Sequence, residues 1–174
     1  MWELCVLLQA IVYTSNAGSA ARYAKMLAQA TGLPVCALAE ARRGLAQGAK
    51  IIYVGWIMAS CVKGYAAAAK RFCVRAVCGV GMTQTGTQIG VTRQKTRVPA
   101  EIPLFTLQGN FDLRRLRGAY RLLMRMMVRA LEKKKDRTAE ENSMLAMLCD
   151  GVDSVDARNL AAVLEWYGKY EEGK

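Results

Sequence analysis

A chain of 174 residues, 53% of them apolar, is sized for one domain with a full hydrophobic core and needs no second domain. Its formal charge is +11, from 25 Lys and Arg against 14 Asp and Glu, and it contains no histidine. The missing histidine excludes Ser-His-Asp and Cys-His catalysis, histidine metal ligation and histidine proton shuttling, so enzymatic chemistry would rest on a cofactor, carboxylates, lysine or tyrosine. Six cysteines show no C-x-x-C pair and mostly sit among apolar neighbours, as buried thiols in a reducing compartment do. No apolar run reaches the roughly 18 residues of a membrane span. The apolar start carries Glu3 and lacks a basic leader and a cleavage site, so a buried first strand in a cytoplasmic protein is expected.

In chain order, Leu4–Tyr13 reads as the first strand, ordered from about Leu7. It stops in Thr14, Ser15, Asn16, Ala17, Gly18, Ser19 and Ala20. A helix is predicted from Ser19 to Thr31, stopped by Gly32 and Pro34. A strand that ends in a compact polar loop opening a helix is how α/β proteins seat a phosphate, through converging N–H groups and the helix dipole. The same small polar residues also cap helices for purely structural reasons, and neither a Walker nor a dinucleotide fingerprint is present. Both readings stand at this point.

Val35–Leu38 is a short strand, 41–46 a weak helix or turn, and Lys50–Val54 a nearly continuous apolar strand, as expected when both sheet faces are covered. Gly55, Trp56, Ile57, Met58 and Ala59 open a predicted loop to Gly64; Trp56 there either packs in the core or stacks on a flat ligand. An alanine-rich helix (65–72) and a strand (74–79) follow. Gly79, Val80, Gly81, Met82 and Thr83 then lead into a polar loop read as mobile, to Thr87. Gln88–Arg97 reads as a short helix ended by Pro99, and Ile102–Leu107 as the fifth strand. Helices are predicted at 113–135, 139–149 and 156–170, the last with Asp156 as N-cap. Alternating strands and helices imply a parallel sheet with helices on both faces.

Charge is placed unevenly. Residues 112–137 hold ten Lys/Arg against three Asp/Glu, and residues 138–174 hold eight acidic against three basic side chains. Arg117, Arg121, Arg125 and Arg129 recur at four-residue steps and make one cationic stripe on the helix 113–135. That stripe is either solvated and paired with the acidic tail, or an anion-attracting surface for tetrapyrrole propionates, an acidic redox partner or an anionic membrane. No base-stacking aromatics interleave with these arginines, and no helix-turn-helix pattern appears, which argues against nucleic acid. Lys133–Lys135 suits a helix C-terminus. The adjacent pairs Glu140-Glu141 and Glu171-Glu172 do not share a face as an acid–base dyad would.

The segment Tyr13–Ser19 resembles the phosphate loop of flavodoxins, and Val54-Gly55-Trp56-Ile57 is similar to their second, ring-contacting loop. Pro103–Asp112, followed by a Met- and Arg-rich helix, resembles bacterial flavodoxin-domain proteins related to menaquinone-dependent protoporphyrinogen dehydrogenases. The resemblance spans residues 4–170. It implies a five-stranded flavodoxin-like sandwich in the order 2-1-3-4-5, with FMN held at 14–20, 55–59 and 79–83. It also implies electron transfer or oxidoreductase activity with a redox partner protein, a quinone or a tetrapyrrole-linked substrate. The chain departs from the pattern in three respects. Ala17 and Ala20 replace threonines, the third loop lacks an aromatic, and the charge is basic where flavodoxins are acidic. A flavin-free module that uses the basic helix to contact an acidic protein or membrane is the competing expectation.

Overall fold

The computed structural model describes residues 7–173. The part of the predicted first strand before Leu7 falls outside them. Five parallel strands, β1 (Ala10–Thr14), β2 (Val35–Ala37), β3 (Lys50–Met58), β5 (Cys73–Gly81) and β6 (Leu104–Gln108), lie side by side in the order β2-β1-β3-β5-β6. Counted among themselves this is 2-1-3-4-5, the doubly wound, flavodoxin-like arrangement whose ligand crevice lies beyond the strands' carboxyl ends.

Strand alternation explains both covered faces. Ile11, Ile52 and Val54 point to a core shared with α1 (Ser19–Thr31), a 3₁₀ turn (Ala157–Leu160) and α7 (Ala161–Glu172), where Tyr23, Leu27, Leu160 and Val163 are fully or almost fully buried. Val12, Ile51, Tyr53 and Val77 point the other way. They pack with residues of α2 (Leu38–Gly44), α3 (Tyr65–Ala69) and the segment around α4 (Ile89–Thr96). Tyr23 ties the first layer together: its hydroxyl donates to the Gln108 carbonyl at the end of β6 and accepts from Asn159 Nδ2 at 2.7 Å. Asp156 caps the 3₁₀ turn by accepting from Arg158 N–H, as the sequence implies.

Several boundaries differ from the sequence reading. The predicted loop from Gly55 is strand through Met58, and Cys61–Val62 (β4) folds back antiparallel on Ile57 and Met58. The connecting residues Ala59 and Ser60 both have positive φ, 49° and 60°, a hairpin geometry that sequences usually mark with Asn-Gly. Gly55 and Gly79 sit opposite each other across β3 and β5 because a side chain on either would collide with this hairpin. A Cβ on Gly55 would lie 2.6 Å from Val62 Cγ1, and one on Gly79 would lie 2.8 Å from Ile57 Cδ1. A second small sheet, β7 (Asn110–Phe111) with β8 (Val152–Asp153), joins the segments on either side of α5 (Gly118–Lys133) and α6 (Ala139–Asp150). Helix α5 starts at Gly118, five residues later than predicted, because Asp112 accepts from Arg114 N–H and turns the chain before it. Helix α6 begins in a capping box: Glu141 N–H donates to Thr138 Oγ1 and Thr138 N–H to Glu141 Oε2.

Tyr53 anchors the hairpin from below. Its single hydroxyl proton goes to the Lys63 carbonyl, 2.6 Å away, so the 2.8 Å bond to Thr14 Oγ1 takes the threonine's proton. Burial pushes the Tyr53 phenol up to about 12 and the Cys78 thiol, enclosed in the other core, also to about 12. Both groups stay neutral in the folded chain at pH values where the unfolded chain ionises. Their stabilisation is therefore complete below pH 9, the thiol's unfolded value, and is lost as pH rises toward 12. Urea unfolding between pH 8 and 11 should show this decline. Tyr53→Phe should cost about 1–2 kcal/mol at pH 8 for its lost hydrogen bonds. Above pH 10 the variant should decline less steeply than wild type, by up to about 1.4 kcal/mol per pH unit.

Candidate functional site

The carboxyl ends of β1, β3, β5 and β6 surround a cavity of about 670 Å³, a volume suited to a cofactor-sized ligand. The loop after β1 forms one side. Gly18, with φ of 99°, caps α1 in a left-handed conformation that other residues rarely adopt, and its N–H donates to Ser15 Oγ at 3.1 Å. The first-turn N–H groups of α1 have no carbonyl partners within the helix, and no acidic side chain stands in that turn. This end of the cavity is therefore electropositive.

The hydroxyls around this loop are largely engaged already. The proton of Thr14 goes to Tyr53. Ser19 is buried, and its Oγ accepts from Asn110 N–H at 2.9 Å, which clasps the start of α1 to the start of β7, just beyond β6. The clasp needs a glycine beside it. A Cβ on Gly109 would lie 2.8 Å from Val80 Cγ1 and 3.1 Å from Ser19 Cβ. The Asn110 side-chain carbonyl is buried with no hydrogen-bond partner among the described residues, an unusual condition for a polar atom at the edge of a cavity.

The opposite wall is α5. Leu116, just before it, and Tyr120, Leu123, Met124, Met127 and Ala130 on it face the cavity. The Tyr120 ring meets Trp56 edge to face, with centroids 4.9 Å apart and planes at 85°. With Met58, Met82 and Met126 the cavity has five methionine walls, flexible thioethers that adjust to ligand shape and favour aromatic rings. Ala17 packs with Met82 and Met124 against Leu116, Val128 and Leu148. Alanine stands at position 17 where α5 and α6 bring an apolar cluster down onto the loop.

Of the residues singled out from sequence, Ser15, Asn16, Ala17, Ser19 and Ala20 meet Trp56, Ile57, Met58 and Ala59 and Val80, Gly81 and Met82 around this one space. Thr14, Gly18, Gly55, Gly79 and Thr83 do not line it. Gly55 and Gly79 instead make room for the β3–β4 hairpin, and Thr83 is exposed. The loop after β5, expected to be mobile, is pinned to β6: Gln108 N–H donates to Thr85 Oγ1 at 2.9 Å and Thr106 Oγ1 to the Thr87 carbonyl at 2.7 Å. The acidic tail does not neutralise the arginine stripe either. Glu141 pairs with Lys134, Asp153 with Arg22, Asp156 with Arg158 and Glu165 with Lys169, whereas Arg117, Arg121, Arg125 and Arg129 form no ion pair among the described residues.

The cavity-lining residues between Gly109 and Ala130 carry no local sequence signal of a site. The apolar repeat at 116, 120, 123, 124 and 127 marks a buried helix face, but its period says nothing of what the face covers. No family model, curated protein or solved structure matches this chain.

Gly109→Ala should destabilise the protein by about 1–3 kcal/mol through overpacking against Val80 and the Ser19 clasp, read as a lower urea midpoint. A change within about 0.3 kcal/mol would show that the clasp yields freely.

Proposed function

We propose that this cavity binds FMN and that the protein works in electron transfer, or as an oxidoreductase on a quinone- or tetrapyrrole-linked substrate. The carrying observation is the meeting of an electropositive helix N-terminus with an aromatic, methionine-lined slot at the carboxyl edge of a flavodoxin-like sheet. The main-chain amides of residues 16, 17, 19 and 20, with the Ser15 hydroxyl and the Asn16 side chain, would hold the phosphate. Trp56 and the methionines of β3, of the loop after β5 and of α5 would hold the ring and keep water from it. A bound flavin supplies the one- and two-electron chemistry that a chain without histidine lacks.

The seat depends more on amides than a flavodoxin's does. Ala17 and Ala20 carry no hydroxyl, and those of Thr14 and Ser19 already serve Tyr53 and Asn110. Each missing hydrogen bond to a charged group is worth about 1.5–3 kcal/mol, so FMN should bind more weakly than a hydroxyl-rich loop would allow. The same engaged hydroxyls support a second reading, in which the loop is a structural turn and the cavity takes an apolar ring without a phosphate.

Flavin fluorescence titrations with FMN and riboflavin separate the two readings. The first predicts saturable quenching by FMN and at least tenfold weaker binding of riboflavin, which lacks the phosphate. Equal affinities would favour the second reading, and no quenching by either flavin would exclude flavin from the cavity. Trp56→Leu should weaken FMN binding about fivefold or more, the scale of one aromatic contact of roughly 1 kcal/mol.

A further inference from the structure

Helix α5 faces the cavity with only part of its apolar surface. Leu122 is 63% exposed, Met126 60% and Leu123 52%, and Met127 is also more than a third open, unusual for four large apolar side chains within two helical turns. At 100° per residue, Leu122 and Met126 lie between the cavity-facing side chains and the stripe of Arg121, Arg125 and Arg129. Those arginines are exposed and unpaired among the described residues, and the segment 112–137 carries a surplus of seven positive charges. Leu123, Met126 and Met127 also line the cavity, so its mouth opens along this same edge. No described helix is long and apolar enough to cross a membrane.

We infer that α5 docks on an anionic lipid bilayer, lying in the interface with Leu122, Leu123, Met126 and Met127 among the acyl-chain boundaries and the arginines against the headgroup phosphates. A half-apolar, half-cationic helix is the form that such interfacial binding takes, and long arginine stems can bury their methylenes while their heads stay with phosphate. Charge decides between lipid and a second copy of the chain: two such helices face to face would oppose their arginine stripes, with only Glu132 of each helix to offset them. Docking would place the cavity mouth against the lipid, whatever occupies the cavity.

Co-sedimentation of the full-length protein with vesicles of phosphatidylcholine, with and without phosphatidylglycerol, tests this. Binding should be at least tenfold tighter to the phosphatidylglycerol vesicles and should weaken as salt rises. Replacing Arg121, Arg125 and Arg129 together by Gln should weaken it about 100-fold, from roughly 1 kcal/mol per cationic side chain near the surface. Leu122→Gln should weaken binding at least threefold while leaving the melting temperature unchanged, since the side chain is mostly exposed. Failure of wild type to bind phosphatidylglycerol vesicles would overturn the inference, as would undiminished binding by the triple variant. A lipid-free dimer dissociated by Leu122→Gln would show instead that a second copy covers this face. FMN titration of the triple variant reads the cavity separately, so loss of lipid binding with flavin binding intact is not confused with failure of the flavin reading.

Discussion

Tyr120 meets Trp56 edge to face, and this contact ties the central strand β3 directly to the helix that follows the sheet. Without α5 the carboxyl edge of the sheet would be an open shelf. With it, the loop after β1, the end of β5 and the methionines of α5 enclose a space large enough for a cofactor. The two faces of α5 are therefore unequal in kind. One inner side packs with α6 through Val128 and Leu131, the other walls the cavity, and an apolar rim beside the arginines remains open. This division sets both the shape of the site and the surface the protein offers to its surroundings.

The same helix bears on the loop after β1, the phosphate seat of the proposed function. Ala17 packs with Met82 and Met124 on the α5–α6 cluster, and Ser19 is occupied with Asn110 at the start of β7, so this corner balances an electropositive helix end against an apolar cover. Under the proposed function the seat would act through main-chain amides, whose direction is fixed by the fold whatever the side chains are. The methionine walls would complement that proposed arrangement, because thioether side chains conform to a planar ring without the fixed hydrogen bonds that a polar wall would impose.

The sheet was legible because its strands are buried on both faces. Near-continuous apolar runs at 10–13, 50–54 and 74–79 bounded by Gly, Pro and polar residues leave little alternative, and the order followed from the flavodoxin resemblance. The hairpin at 59–60 was hidden because Ala and Ser carry the left-handed turn in place of the glycine or asparagine that usually announces it. The glycines at 55 and 79 suggested ligand loops but answer to steric clearance with Ile57 and Val62, a long-range contact that no local pattern encodes. The Thr138–Glu141 capping box was readable in principle, and it marks the start of α6. The role of α5 as a cavity wall was not readable. Periodicity identifies an apolar face without saying what lies opposite, and the turn at Asp112 that aims the helix depends on a side chain–backbone bond.

The most direct test of α5 as the cavity wall is a double-mutant cycle on Trp56→Leu and Tyr120→Leu, with stability measured by urea unfolding. If the two rings hold the helix to the sheet, the paired substitution should cost less than the sum of the single ones, by a coupling of about 0.5–1.5 kcal/mol. Single effects that add to within about 0.3 kcal/mol would mean that Tyr120 does not bear on Trp56 and that α5 does not close this cavity.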